Sequence, residues 1–202
     1  PYEVLYTNWL SFEDVCRLKR IEEMVEIYYN SNQFTMTLPV AIQRFSSAFA
    51  FFEALADYYE EKGYFIQSPA RSYRYQILLS FIKEKLLPDK MQEMFFAECL
   101  TLDLYLRENC KTRPEFAQDE SQYKENMRAF FRAEAKQHNV LGSAYAQYDA
   151  RMLARSVHIE PVRFDYESGT LLEKEEYLLF DYKDRNALTY EAKIYRIGMY
   201  TD

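Results

Sequence analysis

Glu22, Glu23 and Glu26 crowd one short stretch of the chain. Glu22 and Glu26 stand at i and i+4, so they share a helical face, and Lys19 joins it three residues earlier. Paired carboxylates suit acid–base work or a di-iron centre. A di-iron bundle needs Glu-x-x-His on each of two helices, and that pattern is missing here. The face therefore reads as a solvated, ion-paired surface or as a polar seam against another domain. Cys16, Cys99 and Cys110 lie 83 and 11 residues apart. Zinc sites need ligand pairs a few residues apart, and iron–sulfur clusters need three or four thiolates. These cysteines read as buried or incidental thiols. His138 falls at a helix end, where it suits the negative pole of the dipole. His158 falls in a strand, with no partner nearby in sequence. Gly-x-Ser-x-Gly, a phosphate-binding Walker loop and a dinucleotide fingerprint are all missing.

The elements that carry these residues are mostly helical. Ser11 caps a helix over residues 12–30, with Glu13 and Asp14 in its first turn. Val15, Leu18, Ile21, Val25 and Tyr28 form its apolar stripe. A second helix is expected over 38–62, with Phe45, Phe49, Phe52, Ala56 and Tyr59 inward and Gly63 after its end. Ser68-Pro69 opens a third, with Tyr73, Ile77, Leu78, Phe81 and Ile82 inward. Pro88-Asp89 opens a fourth that carries Met91, Met94, Phe95, Leu102 and Leu106 inward. A fifth starts near Asp119, and helix resumes over 143–154. Strand patterning follows at 156–166, 177–182 and 188–197, with turns at 167–170 and 183–187. Pro161 restricts the first strand to an edge or a bulge. Phe164-Asp-Tyr166 and Phe180-Asp-Tyr182 repeat one motif, which suggests a cross-strand pair.

Composition bounds the whole. The 202 residues hold 49% hydrophobic and 17% aromatic residues, ample for a buried core. Only four glycines occur, against an average of about 7%. That scarcity argues against a β-sandwich or a Rossmann fold. Three of the four lie after residue 141, where the helices give way to strands. The fold class expected is α+β, mainly α: a helical bundle-like body with a small C-terminal antiparallel sheet. The expected domains are a linker and first helix over 1–31, a helical body over 32–155 and the sheet over 156–202, together one compact domain. The net charge of −7 is spread over both ends and disfavours nucleic acid. No apolar run reaches the roughly 20 residues that span a bilayer. The odd, scattered cysteines fit a reducing cytoplasm. A start at Pro1 without a targeting segment suggests a piece of a longer protein.

Tyr2-Glu-Val-Leu-Tyr-Thr-Asn-Trp-Leu-Ser11 and Leu18-Lys-Arg-Ile-Glu-Glu-Met-Val-Glu-Ile-Tyr-Tyr-Asn-Ser31 resemble the region after the barrel in bacterial B12-binding-domain/radical-SAM proteins. The aromatic helix over 45–59, Asp103-Leu-Tyr105 and Phe180-Asp-Tyr182 resemble the domain of unknown function that follows there. In that domain Asp stands next to Tyr, whereas Leu104 separates them here. The resemblance implies a parent that binds S-adenosylmethionine on a [4Fe–4S] cluster, and in some cases cobalamin. This chain lacks the Cys-x-x-x-Cys-x-x-Cys motif, so no cofactor is expected in it. The expectation is a non-catalytic C-terminal accessory domain that packs on the radical-SAM and B12-binding domains of the same polypeptide and helps cover the substrate side. Lys19, Glu22, Glu26, Tyr28, Tyr29 and Asn30 are the candidate inter-domain motif. The alternatives are a protein-interaction or scaffold module, suggested by the aromatics and the acidic surface, and a small-ligand-binding helical domain.

Overall fold

A computed structural model describes residues 6–166 and 168–198. The motif residues 2–5 and the turn residue Glu167 lie outside them. The chain divides into two compact units, Pro1–Pro88 and Asp89–Asp202. The division falls at the Pro88-Asp89 seam, away from the expected boundaries at 31 and 155. The first helix packs inside the first unit, and the sheet is covered by helices of the second.

The first unit is helical. α1 (Phe12–Met24) begins in a reciprocal cap: Asp14 N donates to Ser11 Oγ (3.1 Å) and Ser11 N to Asp14 Oδ2 (3.0 Å). Two orphan donors of the first turn are thereby satisfied. α1 runs on into a π-helical turn (Val25–Asn30). α2 (Thr37–Ile42), α3 (Ala48–Glu61), the single turn α4 (Tyr64–Gln67) and α5 (Arg71–Leu86) follow. α1 lies against α3, and Arg17–Glu53 and Arg20–Glu60 ion pairs flank the contact. The Phe81 ring of α5 meets Phe51 at 5.6 Å and Tyr58 at 5.5 Å, so α3 and α5 share one aromatic core. Each such buried ring contributes about 2 kcal/mol of transfer free energy.

The helix expected over 38–62 is two helices. Ser47 starts α3 afresh by accepting Ala50 N (3.0 Å), and Phe45 turns from the connection onto Phe51 and Phe81. This shifts the inward stripe: Phe51 is buried and Phe49 exposed. Tyr73 and Met91, expected inward, are exposed as well, and Tyr75 takes the core position.

The second unit holds α6 (Lys90–Arg107), α7 (Lys124–Gln137), α8 (Ala150–Ser156) and an antiparallel sheet β1 (Val157–Phe164), β2 (Leu171–Arg185), β3 (Ala192–Ile197), in that order. Asp89 and Gln92 form the capping box of α6. The expected α+β class, mainly α with a small C-terminal sheet, is the one observed. Strand alternation sorts the side chains. Val157, Ile159, Tyr177, Leu179 and Ile197 join Phe130, Leu141, Tyr145 and Leu153 in one cluster. On the opposite face, His158 stacks on Tyr105 of α6 and Phe164 meets Phe95. Both faces are covered, which explains the unbroken buried run at 177–181. Pro161 sits on an edge strand, as its missing N–H requires.

Three local expectations change in this unit. The stretch 143–154 is a short 3-10 turn (Ser143–Tyr145), then α8, which Asp149 caps at Met152 N (2.7 Å). The two Phe-Asp-Tyr motifs are not cross-strand partners, because Phe180 pairs with His158 and Phe164 with Leu171. Residues 188–190 are turn, not strand. Asn186 Oδ1 accepts Leu188 N (2.8 Å) and Thr189 N (3.0 Å) and so curls the chain there.

Candidate functional site

The six motif residues divide by burial. Lys19, Glu22, Glu26, Tyr29 and Asn30 are exposed on α1 and its π-helical turn, and Tyr28 is buried. Asn30 Nδ2 donates to Glu26 Oε1 (2.6 Å), so these two are held together across the turn. Tyr28 anchors the turn from inside. Its hydroxyl shares a 2.6 Å hydrogen bond with Tyr59 of α3, and its ring meets Phe34 at 5.0 Å. Burial pushes the Tyr28 hydroxyl well above its ordinary range and Tyr59 up to about 12, so both remain neutral donors. Tyr28 is thus a core residue that fixes the turn, while the other five form its outer surface.

That surface carries unexpected apolar area. Trp9 is 92% exposed, Phe12 57% and Tyr29 60%, and Tyr6, Leu10 and Leu18 are exposed with them. Leu18 was expected in the core stripe. The inward positions of α1 are Ile21 and Met24, with Arg17 and Arg20 paired beside them. Six of the large apolar side chains exposed in this protein therefore fall between residues 6 and 29. Scattered exposed apolar residues are ordinary, but a concentration rimmed by charge is the pattern of an interaction surface.

A second polar constellation lies in the second unit. Glu160 on β1 is 1% exposed, and Arg113 grips it through two bonds of 2.7 and 2.6 Å. His158, two residues earlier on the same strand face, donates from Nε2 to Glu160 Oε2 (2.9 Å). The His158 ring stacks on Tyr105 at 3.5 Å. Burial alone would raise the Glu160 carboxyl, but the bonds from Arg113 and His158 outweigh it and hold the carboxyl below its ordinary value. Burial pushes Tyr105 up to about 12. Arg113 Nε also donates to Gln118 O (2.9 Å), which folds the segment after α6 on itself, and Gln118 Nε2 donates to Pro161 O on β1. Clefts of about 330 and 220 Å³ flank Glu160 and its partners, the smaller one lined by Cys110, His158 and Arg113.

The sequence offered one signal for this cluster, the His158-x-Glu160 alternation in a strand. The guanidinium 47 residues away was not legible. His138 does close a helix, as the left-handed C-cap of α7. Cys99 is buried, and burial pushes its thiol up, as expected of an inert core cysteine. Among the described residues no group of three or more His, Cys, Asp or Glu side chains is placed to hold a metal ion. Among them no helix is long and apolar enough to cross a membrane.

No curated protein and no solved structure shows significant similarity to this chain. A family model does match, over residues 1–180, and its description is "Protein of unknown function (DUF4080)". With nine-tenths of its length inside that match, the chain belongs to the DUF4080 family.

Proposed function

We propose that this chain is a non-catalytic accessory domain that docks through α1 and its π-helical turn onto a radical-SAM barrel of the same polypeptide. The observation that carries the reading is the exposed apolar row of Trp9, Phe12, Leu18 and Tyr29, interleaved with Lys19, Glu22 and Glu26. It coincides with the stretch that resembles the post-barrel region of B12-binding-domain/radical-SAM proteins. A covering domain has a physical purpose there, since radical intermediates need water and side reactions excluded. The chain's own cysteines do not fit an iron–sulfur cluster: they lack the Cys-x-x-x-Cys-x-x-Cys spacing, and Cys99 is enclosed in the core. The cluster, S-adenosylmethionine and any cobalamin belong, in this reading, to the preceding domains. The setting proposed is the bacterial cytoplasm, which three free thiols suit.

Lys19→Ala with Glu22→Ala tests the docking face. In the full polypeptide the pair is expected to lower activity several-fold, while the stability of this chain shifts by no more than about 0.5 kcal/mol, the usual size of a surface change. Equal loss in both measurements would assign the two residues to folding. A coding region upstream that lacks Cys-x-x-x-Cys-x-x-Cys would overturn the reading altogether.

A further inference from the structure

The π-helical turn also shapes a pocket. It encloses about 320 Å³ between the turn and α2. Beneath it the core is fixed. Tyr28 and Phe34 are buried, their rings 5.0 Å apart, and Phe34 in turn meets Tyr75 at 4.6 Å. Leu38, Pro39 and Ile42 of α2 also line the space. Tyr29 stands at the mouth, 60% exposed. Asn32, at φ 54°, and Thr35 supply the polar groups of the rim. No carboxylate, ammonium or guanidinium lines the space.

Those features define a ligand class. A charged molecule would lose its hydration with no counter-charge to replace it. An apolar molecule keeps dispersion contacts with the accessible ring of Tyr29 and with the side chains of Pro39 and Ile42. An apolar cavity of about 150 Å³ is enough for benzene, so this one has room for two fused rings. The size and lining match the general pattern of small-molecule sites, apolar with a few polar groups at the edge. π-helical turns are themselves rare and recur at functional sites.

We infer that the pocket between the π-helical turn and α2 binds an uncharged, largely apolar molecule no larger than about two fused rings, with a hydroxyl or amide group directed at Asn32 and Thr35. The site does not rest on the docking role, but its mouth shares Tyr29 with the docking face, so binding is expected of this chain in its undocked form.

The test is a titration of the whole chain with 1-naphthol, followed by its fluorescence and by methyl NMR of Leu38 and Ile42. Saturable binding with Kd of about 1 mM or tighter is expected, from a probe of this size. Naphthalene-1-sulfonate, of the same shape but charged, should bind at least tenfold more weakly. Ile42→Trp fills the pocket and should abolish 1-naphthol binding. If Ile42→Trp lowers the melting temperature, Thr35→Trp blocks the mouth from the exposed rim without entering the core. Absence of saturable 1-naphthol binding, equal binding of the sulfonate, or binding that survives the folded blocking variant would each overturn the assignment.

Discussion

Arg113→Met is expected to lower the stability of this protein by about 3 kcal/mol at neutral pH, the low end of what breaking one side of a buried ion pair costs. The guanidinium supplies two hydrogen bonds to the Glu160 carboxylate, which is 1% exposed, and His158 supplies one. Without it, a buried negative charge keeps only His158. The low end applies because the Arg113 side chain is itself 20% exposed and also meets Glu120. The pH dependence has a definite sign. In the native protein Glu160 titrates below its ordinary value of 4.5. Its contribution is therefore present above that value and lost as pH falls through the lowered one. In Arg113→Met burial acts unopposed by the guanidinium, the carboxyl rises, and protonation in acid relieves the penalty. Urea titrations of the two proteins should diverge at neutral pH and converge as pH falls through the lowered native value of Glu160. A constant gap at all pH values would mean that Arg113 acts through packing alone. Replacing Arg113 and Glu160 together with Met should recover part of the loss, since an apolar pair leaves no charge stranded.

Glu134→Ala is expected to cost about 1–3 kcal/mol, through the penalty for stranding the buried Leu141 N–H. Glu134 is 1% exposed at the end of α7 and accepts three consecutive backbone N–H groups: Asn139 (3.2 Å), Val140 (2.9 Å) and Leu141 (2.7 Å). The carboxylate bends the chain after the left-handed His138 and delivers Leu141 and Tyr145 to the core cluster. Glu134→Gln keeps an oxygen for Val140 and Leu141, which share Oε1, and should lose less than half as much. Equal loss in the two variants, measured by urea titration, would contradict this role.

Local chemistry was legible in the sequence wherever a neighbouring residue completed it. Ser11 with Asp14, and Asp89 beside Pro88, marked helix starts that the structure keeps. Ser47 was equally able to cap, but the aromatic periodicity over 45–59 ran straight across it and hid the break before α3. The π-helical turn left no trace, because Ile21, Val25 and Tyr28 read as an ordinary helical stripe. The last hairpin was misread because alternation continues through Leu188 and Tyr190. The side chain of Asn186 and the guanidinium of Arg107, which bonds Thr189 O and Glu191, decide that turn. Long-range pairs were the least legible. Nothing near Arg113 announces Glu160, and Tyr28 gave no hint that its hydroxyl meets Tyr59. Helical spacing singled out the candidate residues of the first helix together, but it could not separate the buried Tyr28 from the five exposed ones.

The docking role proposed for that surface is tested most directly by oxidative footprinting of side chains, compared between this chain alone and the longer polypeptide of that proposal. Trp9, Phe12 and Tyr29 are the reporters, and Leu188, 92% exposed in the other compact unit, is the reference. The account predicts that the three reporters are modified at least tenfold more slowly in the full polypeptide, while Leu188 changes little. Equal modification of Trp9, Phe12 and Tyr29 in the two forms would contradict it.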